Sequence, residues 1–98
     1  MKTFADAKFE ITKFPASSGV KGRIPLDNGN MEISIVMNEC SYGGNKGLWE
    51  VAVFEKKGDL TMPRTVELKC LNNDVAGNLT FPELEKKLVE IQKELKID

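Results

Sequence analysis

Residues 79–95 read LTFPELEKKLVEIQKEL, and this stretch decides the fold. Its apolar residues recur at spacings of four, three and four, so that one face of a helix carries Leu84, Leu88, Ile91 and Leu95. Thr80 and Glu83 have the spacing of a capping box, in which a hydroxyl and a carboxylate bind the first free amides of a helix. The pattern predicts a C-terminal helix over residues 80–96 whose apolar stripe covers another surface.

Upstream of this helix the apolar period changes to two, which is typical of strands with one buried face. Such alternation runs through residues 31–38, 48–54 and 65–70 and, over a shorter run, through residues 8–12. Both faces of residues 49–53 are largely apolar, which favours a central position in the sheet. We expect the helix stripe to pack against apolar side chains of these strands, among them Ile33, Ile35 and Val51.

Turn residues separate the predicted strands. Asn28-Gly29 precedes the strand at residues 31–37, and Asn-Gly is a strong hairpin signal. Residues 15–22 are rich in Ser and Gly and predict a mobile loop, so residues 1–22 are expected to hold a short strand followed by that loop. The fold class that follows is α+β, as one domain over residues 1–98: an antiparallel sheet of four or five strands with one C-terminal α-helix packed across one face.

Composition excludes several kinds of site. The chain has 98 residues, with 14 Lys plus Arg against 15 Asp plus Glu and no His. The near-zero charge argues against a polyphosphate binder, and the missing histidine removes the commonest general base and transition-metal ligand. Cys40 and Cys70 stand 30 residues apart without a nearby Cys-x-x-Cys, and the carboxylates lack calcium-loop spacing. We expect no metal site and no cofactor.

Residues 39–47, ECSYGGNKG, form the most conspicuous predicted loop. A nucleophile at Cys40 or Ser41 would depend on Lys46 or Glu39, and without His a Ser–Lys pair is the only familiar arrangement. The glycines lack the spacing of a phosphate-binding loop, and a strand rather than a helix follows them. We therefore predict no enzymatic activity; the glycines serve backbone conformation, or the loop binds a partner.

The candidate binding residues lie in this loop and at the start of the next strand: Tyr42, Gly43, Gly44, Asn45, Lys46 and Trp49. Tyr and Trp are the residue types that dominate interface hot spots. Tyr42 is flanked by Ser and two glycines, so we expect it to be exposed. Trp49 shares a strand face with valines, and it either joins the core or contributes to binding. A partner protein can also add a strand to an unpaired sheet edge.

The sequence also bears on location. Asp6 precedes any apolar run, so no secretory signal is read at the N-terminus, and no stretch approaches the ~20 apolar residues of a membrane span. These features predict a cytoplasmic protein with reduced cysteines and no membrane partner.

Nucleic-acid binding is an alternative function, for which the basic residues would be Lys8, Lys13, Lys21 and Arg23.

Segments between residues 41 and 79 resemble a pattern in small uncharacterised accessory proteins of bacteriophages and prophages: Ser41-Tyr42-Gly43-Gly44, Gly47-Leu48, Glu50-Val51-Ala52-Val53, Gly58-Asp59 and Val75-Ala76-Gly77-Asn78-Leu79. In those proteins a Ser-Tyr-Gly-Gly turn joins two strands, a hairpin follows, and an aliphatic-Gly-aliphatic segment leads into a terminal helix. The resemblance covers residues 29–96, and it departs from the pattern in residues 63–73 and 1–22.

The resemblance implies a small non-enzymatic protein that acts in the cytoplasm of an infected bacterium. Such a protein binds and inhibits or redirects a host protein, for example a nuclease of bacterial immunity in an anti-CRISPR-like role. The family carries no established activity, so no catalytic residue is transferred. The alternatives are a nucleic-acid-binding accessory factor and a structural or self-assembling phage component, including a homodimer.

Overall fold

A computed structural model describes residues 1–14, 17–38, 46–55, 64–71 and 74–96 of the chain. This part contains six strands and one α-helix in the order β1 (Lys8–Phe14), β2 (Ser17–Leu26), β3 (Met31–Asn38), β4 (Trp49–Glu55), β5 (Arg64–Thr65), β6 (Val75–Leu79) and α1 (Phe81–Glu94). Two short 3-10 turns accompany them, Phe4–Asp6 before β1 and Asp27–Gly29 before β3. The predicted α+β class is confirmed: an antiparallel sheet carries one C-terminal helix packed against it.

The described strands form one antiparallel sheet in the order β1-β2-β3-β4. The far edge of β4 is shared by two strands. β5 pairs with its end at Phe54 and Glu55, and β6 pairs with its first half, from Trp49 to Ala52. β4 is therefore central, as its two apolar faces predicted, and β1 stands at the opposite end of the sheet.

The predicted Asn-Gly hairpin is confirmed between β2 and β3. Asp27 and Gly29 take positive φ angles of 49° and 90°, and the Asn30 amide donates to the Asp27 carbonyl over 3.0 Å. Gly29 supplies the left-handed conformation that other residues adopt with difficulty. The turn sets a register in which Ile24 faces Ile33, and both of these branched side chains are buried in the core.

The core lies between the sheet and α1. Among the residues whose burial is described, the buried hydrophobic ones are aliphatic: Ile24, Leu26, Ile33, Ile35, Val51, Val53, Leu71, Leu79, Leu84, Leu88 and Ile91. The predicted helix stripe is confirmed, with three of its members buried and Leu95 half-buried at its end. The predicted partners of the stripe on β3 and β4 belong to the same cluster.

The predicted capping box starts α1. The Thr80 hydroxyl accepts from the Glu83 amide over 3.4 Å, and the Glu83 carboxylate accepts from the Thr80 amide over 3.0 Å. The hydrogen bond from the Thr80 backbone holds the pKa of Glu83 below its usual value, because it stabilises the ionised form. The cap fixes where the chain leaves β6 and enters the helix.

The predicted mobile loop at residues 15–22 is wrong for residues 17–22, which belong to β2. β2 pairs with β1 from Ser17 to Arg23 and with β3 from Gly19 to Leu26. Ser and Gly have low strand propensity, but cross-strand pairing on both sides outweighs that preference. Residues 15 and 16 lie outside the described residues.

The strand predicted at residues 65–70 is wrong for residues 66–70: β5 ends at Thr65, the Val66 amide still donates to the Val53 carbonyl, and the chain turns at Lys69 and Cys70. Side chains of α1, instead of a neighbouring strand, form hydrogen bonds with the backbone N–H and C=O groups of Lys69 and Cys70. The Glu94 carboxylate accepts from the amides of Lys69 and Cys70 over 2.6 and 3.0 Å, and Lys87 Nζ donates to the Cys70 carbonyl over 2.6 Å. Residues 75–79, which the sequence indicated only as a lead-in to the helix, supply a strand instead.

Candidate binding surface

A cluster of aromatic rings lies beside the N-terminal end of α1, where four separate elements meet. We call it the aromatic surface; its members are Phe4, Phe9, Trp49 and Phe81. They come from the first 3-10 turn, from β1, from β4 and from the first residue of α1. Four of the seven aromatic residues of the chain therefore gather in one place.

Phe4 is the centre of the aromatic surface. Its ring centroid lies 5.0 Å from that of Phe9, 5.5 Å from that of Trp49 and 4.9 Å from that of Phe81. The rings of Trp49 and Phe81 meet Phe4 edge to face, at 75° and 83°. This is the favoured arrangement of aromatic quadrupoles and adds about 0.5–1.5 kcal/mol per pair beyond area burial.

The aromatic surface is open to solvent, in contrast to the aliphatic core. Phe9 is 42% exposed and Phe81 is 45% exposed, and Ile11 on the same strand as Phe9 is 72% exposed. β1 and β2 pair Phe9 with Gly22 and Ile11 with Val20, so these apolar residues follow one face of the sheet edge. Several large apolar side chains are therefore partly exposed side by side, a feature that interaction sites share.

Gln92 holds the N-terminal segment against the helix. Its side chain is fully buried; Oε1 accepts from the Lys2 amide, and Nε2 donates to the carbonyls of Lys2 and Leu88, over 2.8, 2.8 and 3.0 Å. The Gln92 side chain thus pairs with the backbone N–H and C=O of Lys2 as a neighbouring strand would. Its own buried polar atoms are hydrogen-bonded in return. Through this contact Phe4 is placed over Trp49.

A second contact shapes the turn that carries Phe4. The Asp6 carboxylate accepts from the Thr3 amide over 2.7 Å, as in a capping box. This backbone hydrogen bond holds the pKa of Asp6 below its usual value. The turn is thereby closed by its own side chain just before the chain enters β1.

Gly22 makes room for the ring of Phe9. A Cβ atom at Gly22 would lie 2.5 Å from Phe9 Cε1, far inside van der Waals contact. The absence of a side chain lets the ring lie against the β2 backbone, where its centroid is 6.1 Å from that of Trp49. Gly22 is therefore a packing residue of the aromatic surface.

The structure tests part of the candidate set from the sequence. Tyr42, Gly43, Gly44 and Asn45 lie outside the described residues, so their predicted binding role stays a prediction. Lys46 is exposed, just before β4. Trp49 is half-buried; its ring packs against the core and also belongs to the aromatic surface, so its predicted binding role stays a prediction.

The sequence analysis did not predict that Phe4, Phe9 and Phe81 belong to a binding surface. Phe4 and Phe81 were assigned no role, and Phe9 was assigned only to a strand. The available signal was the spacing of Phe81: it lies three residues before Leu84 and so continues the apolar stripe into the first turn of α1, where its ring is 45% exposed. The four rings are far apart in sequence, so their contact in the folded chain is not visible from the sequence.

The basic residues proposed for nucleic-acid binding are interleaved with acidic ones. Lys8 and Arg23 face each other across β1 and β2, as do Lys21 and Glu10. Arg23 also lies 3.5 Å from the Glu10 carboxylate. The side chain of Lys13 lies outside the described part. The mixed signs lower the local positive potential that attracts a phosphate backbone.

Cys70 is a free thiol in the segment that the helix holds. Burial, together with the neighbouring Glu94 carboxylate, raises the pKa of Cys70 to about 11. The thiol is therefore protonated at neutral pH and is a poor nucleophile. Cys40 lies outside the described residues, so its predicted reduced state stays a prediction.

Two further kinds of site concern metals and membranes. Among the described residues no three Cys, Asp or Glu side chains converge on a position that would hold a metal ion. Within the same part of the chain, no helix is both long and apolar enough to cross a bilayer.

Comparison of the chain with protein-family models, with curated proteins and with solved structures gives no match. The resemblance to small phage proteins therefore stays a prediction from the sequence.

Proposed function

We propose that this protein is a non-enzymatic binding protein that captures a partner protein on the aromatic surface. The observation that carries the proposal is the distribution of apolar side chains. Among the described residues the buried core is aliphatic, whereas four aromatic rings meet beside the helix start, with two of them more than 40% exposed. Large apolar side chains that are exposed next to one another are more informative than single ones, because they often mark a binding site.

The chemistry of the aromatic surface suits protein recognition. Aromatic side chains bury a large area at low cost in side-chain entropy, and Trp and Tyr are enriched among residues that dominate binding energy. The rings of Phe4 and Trp49 are already fixed by edge-to-face packing, so little ordering remains to oppose association. Lys46 and the loop before it border Trp49 in sequence, and the proposal includes them as a polar rim.

The partner we propose is a host protein that this chain inhibits or redirects, as a small phage accessory protein would. The support for this partner is the sequence resemblance together with the surface chemistry. A protein partner is favoured over nucleic acid, because Glu10 interrupts the basic residues beside it.

The test begins with affinity capture from a bacterial lysate, read by mass spectrometry, followed by titration of the recovered partner. Trp49 is the single tryptophan of the chain, so its emission reports directly on the aromatic surface. We expect binding to shift this emission to shorter wavelength. Phe81→Ala should weaken binding about tenfold or more, because truncated hot-spot aromatics lose at least ~1–2 kcal/mol.

Val89→Ala is the matched control. Val89 is an exposed apolar residue of the same helix, 36% accessible, and it lies outside the aromatic surface. Its truncation should leave the affinity unchanged. Equal losses in both variants, or no loss in either, would contradict the assignment. A second comparison pairs Tyr42→Ala with Lys46→Ala in one chain; retained binding there would remove the loop from the proposed surface.

A further inference from the structure

β1 presents an unpaired edge. It has 7 residues and pairs with β2 along its inner side, and no strand among the described residues pairs with its outer side. Phe9 and Ile11 on this strand are 42% and 72% exposed. Edge strands offer free N–H and C=O groups, and natural proteins usually protect them with charge, bulges or a cover. An edge that also exposes large apolar side chains is suited to pairing with another strand.

We propose that a second copy of this chain pairs with β1, antiparallel, about a two-fold axis at Phe9. This inference goes beyond the proposed function, because it requires neither the partner protein nor its contacts. In an antiparallel pair, directly opposed residues lie on the same face of the sheet. A two-fold axis normal to the sheet therefore places one residue opposite its own equivalent in the second copy. With the axis at Phe9, each Lys8 opposes Glu10 of the second copy, and each Ala7 opposes Ile11 of the second copy.

Charge complementarity selects this register among the neighbouring ones. An axis at Glu10 would oppose two carboxylates, which destabilises a cross-strand pair. An axis at Ile11 would oppose Glu10 to the neutral Thr12. The axis at Phe9 pairs Lys8 with Glu10 twice, once on each side of the two-fold. Pairing ends at Ala7, because the chain turns into the Phe4–Asp6 segment before it.

The same register joins the apolar surfaces of the two copies. Phe9 of each copy lies next to the axis, on one face of a sheet that continues through both molecules, with its ring over Gly22 of its own copy. The two aromatic surfaces then share that face, and Ile11 gains Ala7 of the other copy as a cross-strand neighbour. The Glu10 carboxylate, which already lies 3.5 Å from Arg23, gains a second cation in Lys8 of the other copy.

Sedimentation velocity over a range of protein concentrations tests the proposal with the full chain. We expect a mass twice the 10.9 kDa of the monomer as concentration rises. Lys8→Glu places carboxylates opposite each other twice and should raise the dissociation constant about tenfold. In the monomer the introduced carboxylate would face Arg23, so the fold is retained. The exchange Lys8→Glu with Glu10→Lys restores both pairs and should return the constant to within about threefold.

Lys86→Glu is the control, since it makes the same change of net charge at an exposed position of α1. It should leave the dissociation constant unchanged. Amide hydrogen exchange at residues 7–11 should also slow as concentration rises. A chain that stays monomeric at millimolar concentration would overturn the proposal. So would a dimer that Lys8→Glu and Lys86→Glu affect equally, or one that the charge exchange fails to restore.

Discussion

Two apolar regions of this molecule differ in chemistry although they adjoin. Between the sheet and α1 every buried hydrophobic residue of the described part is aliphatic, and side chains such as Ile33 and Leu88 are completely or nearly inaccessible. Beside the first turn of α1 four aromatic rings meet, of which Phe9 and Phe81 are more than 40% exposed. Branched aliphatic side chains fill the narrow space between a helix and a sheet, whereas flat rings cover backbone at its margin. Aliphatic residues therefore fill the centre of the fold, and the aromatic surface adjoins them through Phe4 and Trp49, which pack against the core.

The largest expected effect is in the aliphatic core. Leu88→Ala should lower the free energy of unfolding by about 2–5 kcal/mol, because it removes buried methyl groups and leaves a cavity. The neighbouring Val89→Ala, at an exposed position, should change that free energy by no more than about 0.5 kcal/mol. Urea unfolding followed by circular dichroism measures both. Similar losses in the two variants would contradict the division between core and surface.

Gln92→Leu removes the contact that links the two regions, while keeping a side chain of similar size. We expect a loss of about 1–3 kcal/mol in the free energy of unfolding, since hydrogen bonds to Lys2 disappear from a fully buried position. The emission of Trp49 should also shift to longer wavelength as Phe4 is released. Lys93→Leu, at an exposed position of α1, is the control; an unchanged Trp49 spectrum in Gln92→Leu would show that Phe4 is held independently.

Gly22→Ala sharpens the comparison inside the aromatic surface. The new methyl group would lie 2.5 Å from a carbon of the Phe9 ring, so the ring must move, and we expect a loss of about 1–3 kcal/mol. The same change made in a Phe9→Ala background should be nearly neutral, because the obstructing ring is gone. Thermal unfolding of the four proteins in this cycle measures the coupling. Additive losses would mean that Gly22 matters for its backbone rather than for Phe9.

The smallest expected effect is a dependence of stability on pH through the Glu94 carboxylate. The Lys69 amide donates to the Glu94 carboxylate, and this holds the pKa of Glu94 below its usual value of 4.5. A carboxyl whose pKa falls on folding stabilises the fold above its unfolded pKa, and that contribution is lost as the pH falls through the folded pKa. The difference in urea midpoint between the wild type and Glu94→Gln should therefore shrink from about pH 7 to about pH 3. A difference that stays constant would contradict this role of the carboxylate.

Regular patterns made most of the fold predictable from the sequence. The stripe of α1, its capping box and the alternation in β3 and β4 each depend on neighbours within a few residues, so local periodicity was sufficient. The Asn28-Gly29 turn was predicted for the same reason. Helix placement against Ile33, Ile35 and Val51 followed because each element left one apolar face to cover.

The errors arose where distant contacts override local preference. Residues 17–22 look like a loop, but pairing with strands on both sides makes them part of β2. Residues 66–70 alternate like a strand, but Glu94 and Lys87 of α1 bind their backbone groups instead. The aromatic surface escaped prediction for the same reason, since its rings come together only in the folded chain. Burial of Gln92 likewise depends on Lys2, 90 positions away.

The contact between Gln92 and Lys2 has a consequence for synthesis on the ribosome. The sheet strands emerge before α1, and their apolar face has no cover until residues 81–94 leave the exit tunnel. Lys2 is synthesised 90 positions before Gln92, so its backbone gains these hydrogen bonds only after the helix has been made. The core can therefore be completed only once α1 has emerged, and until then the uncovered apolar face of the nascent sheet is accessible to chaperones and prone to aggregation.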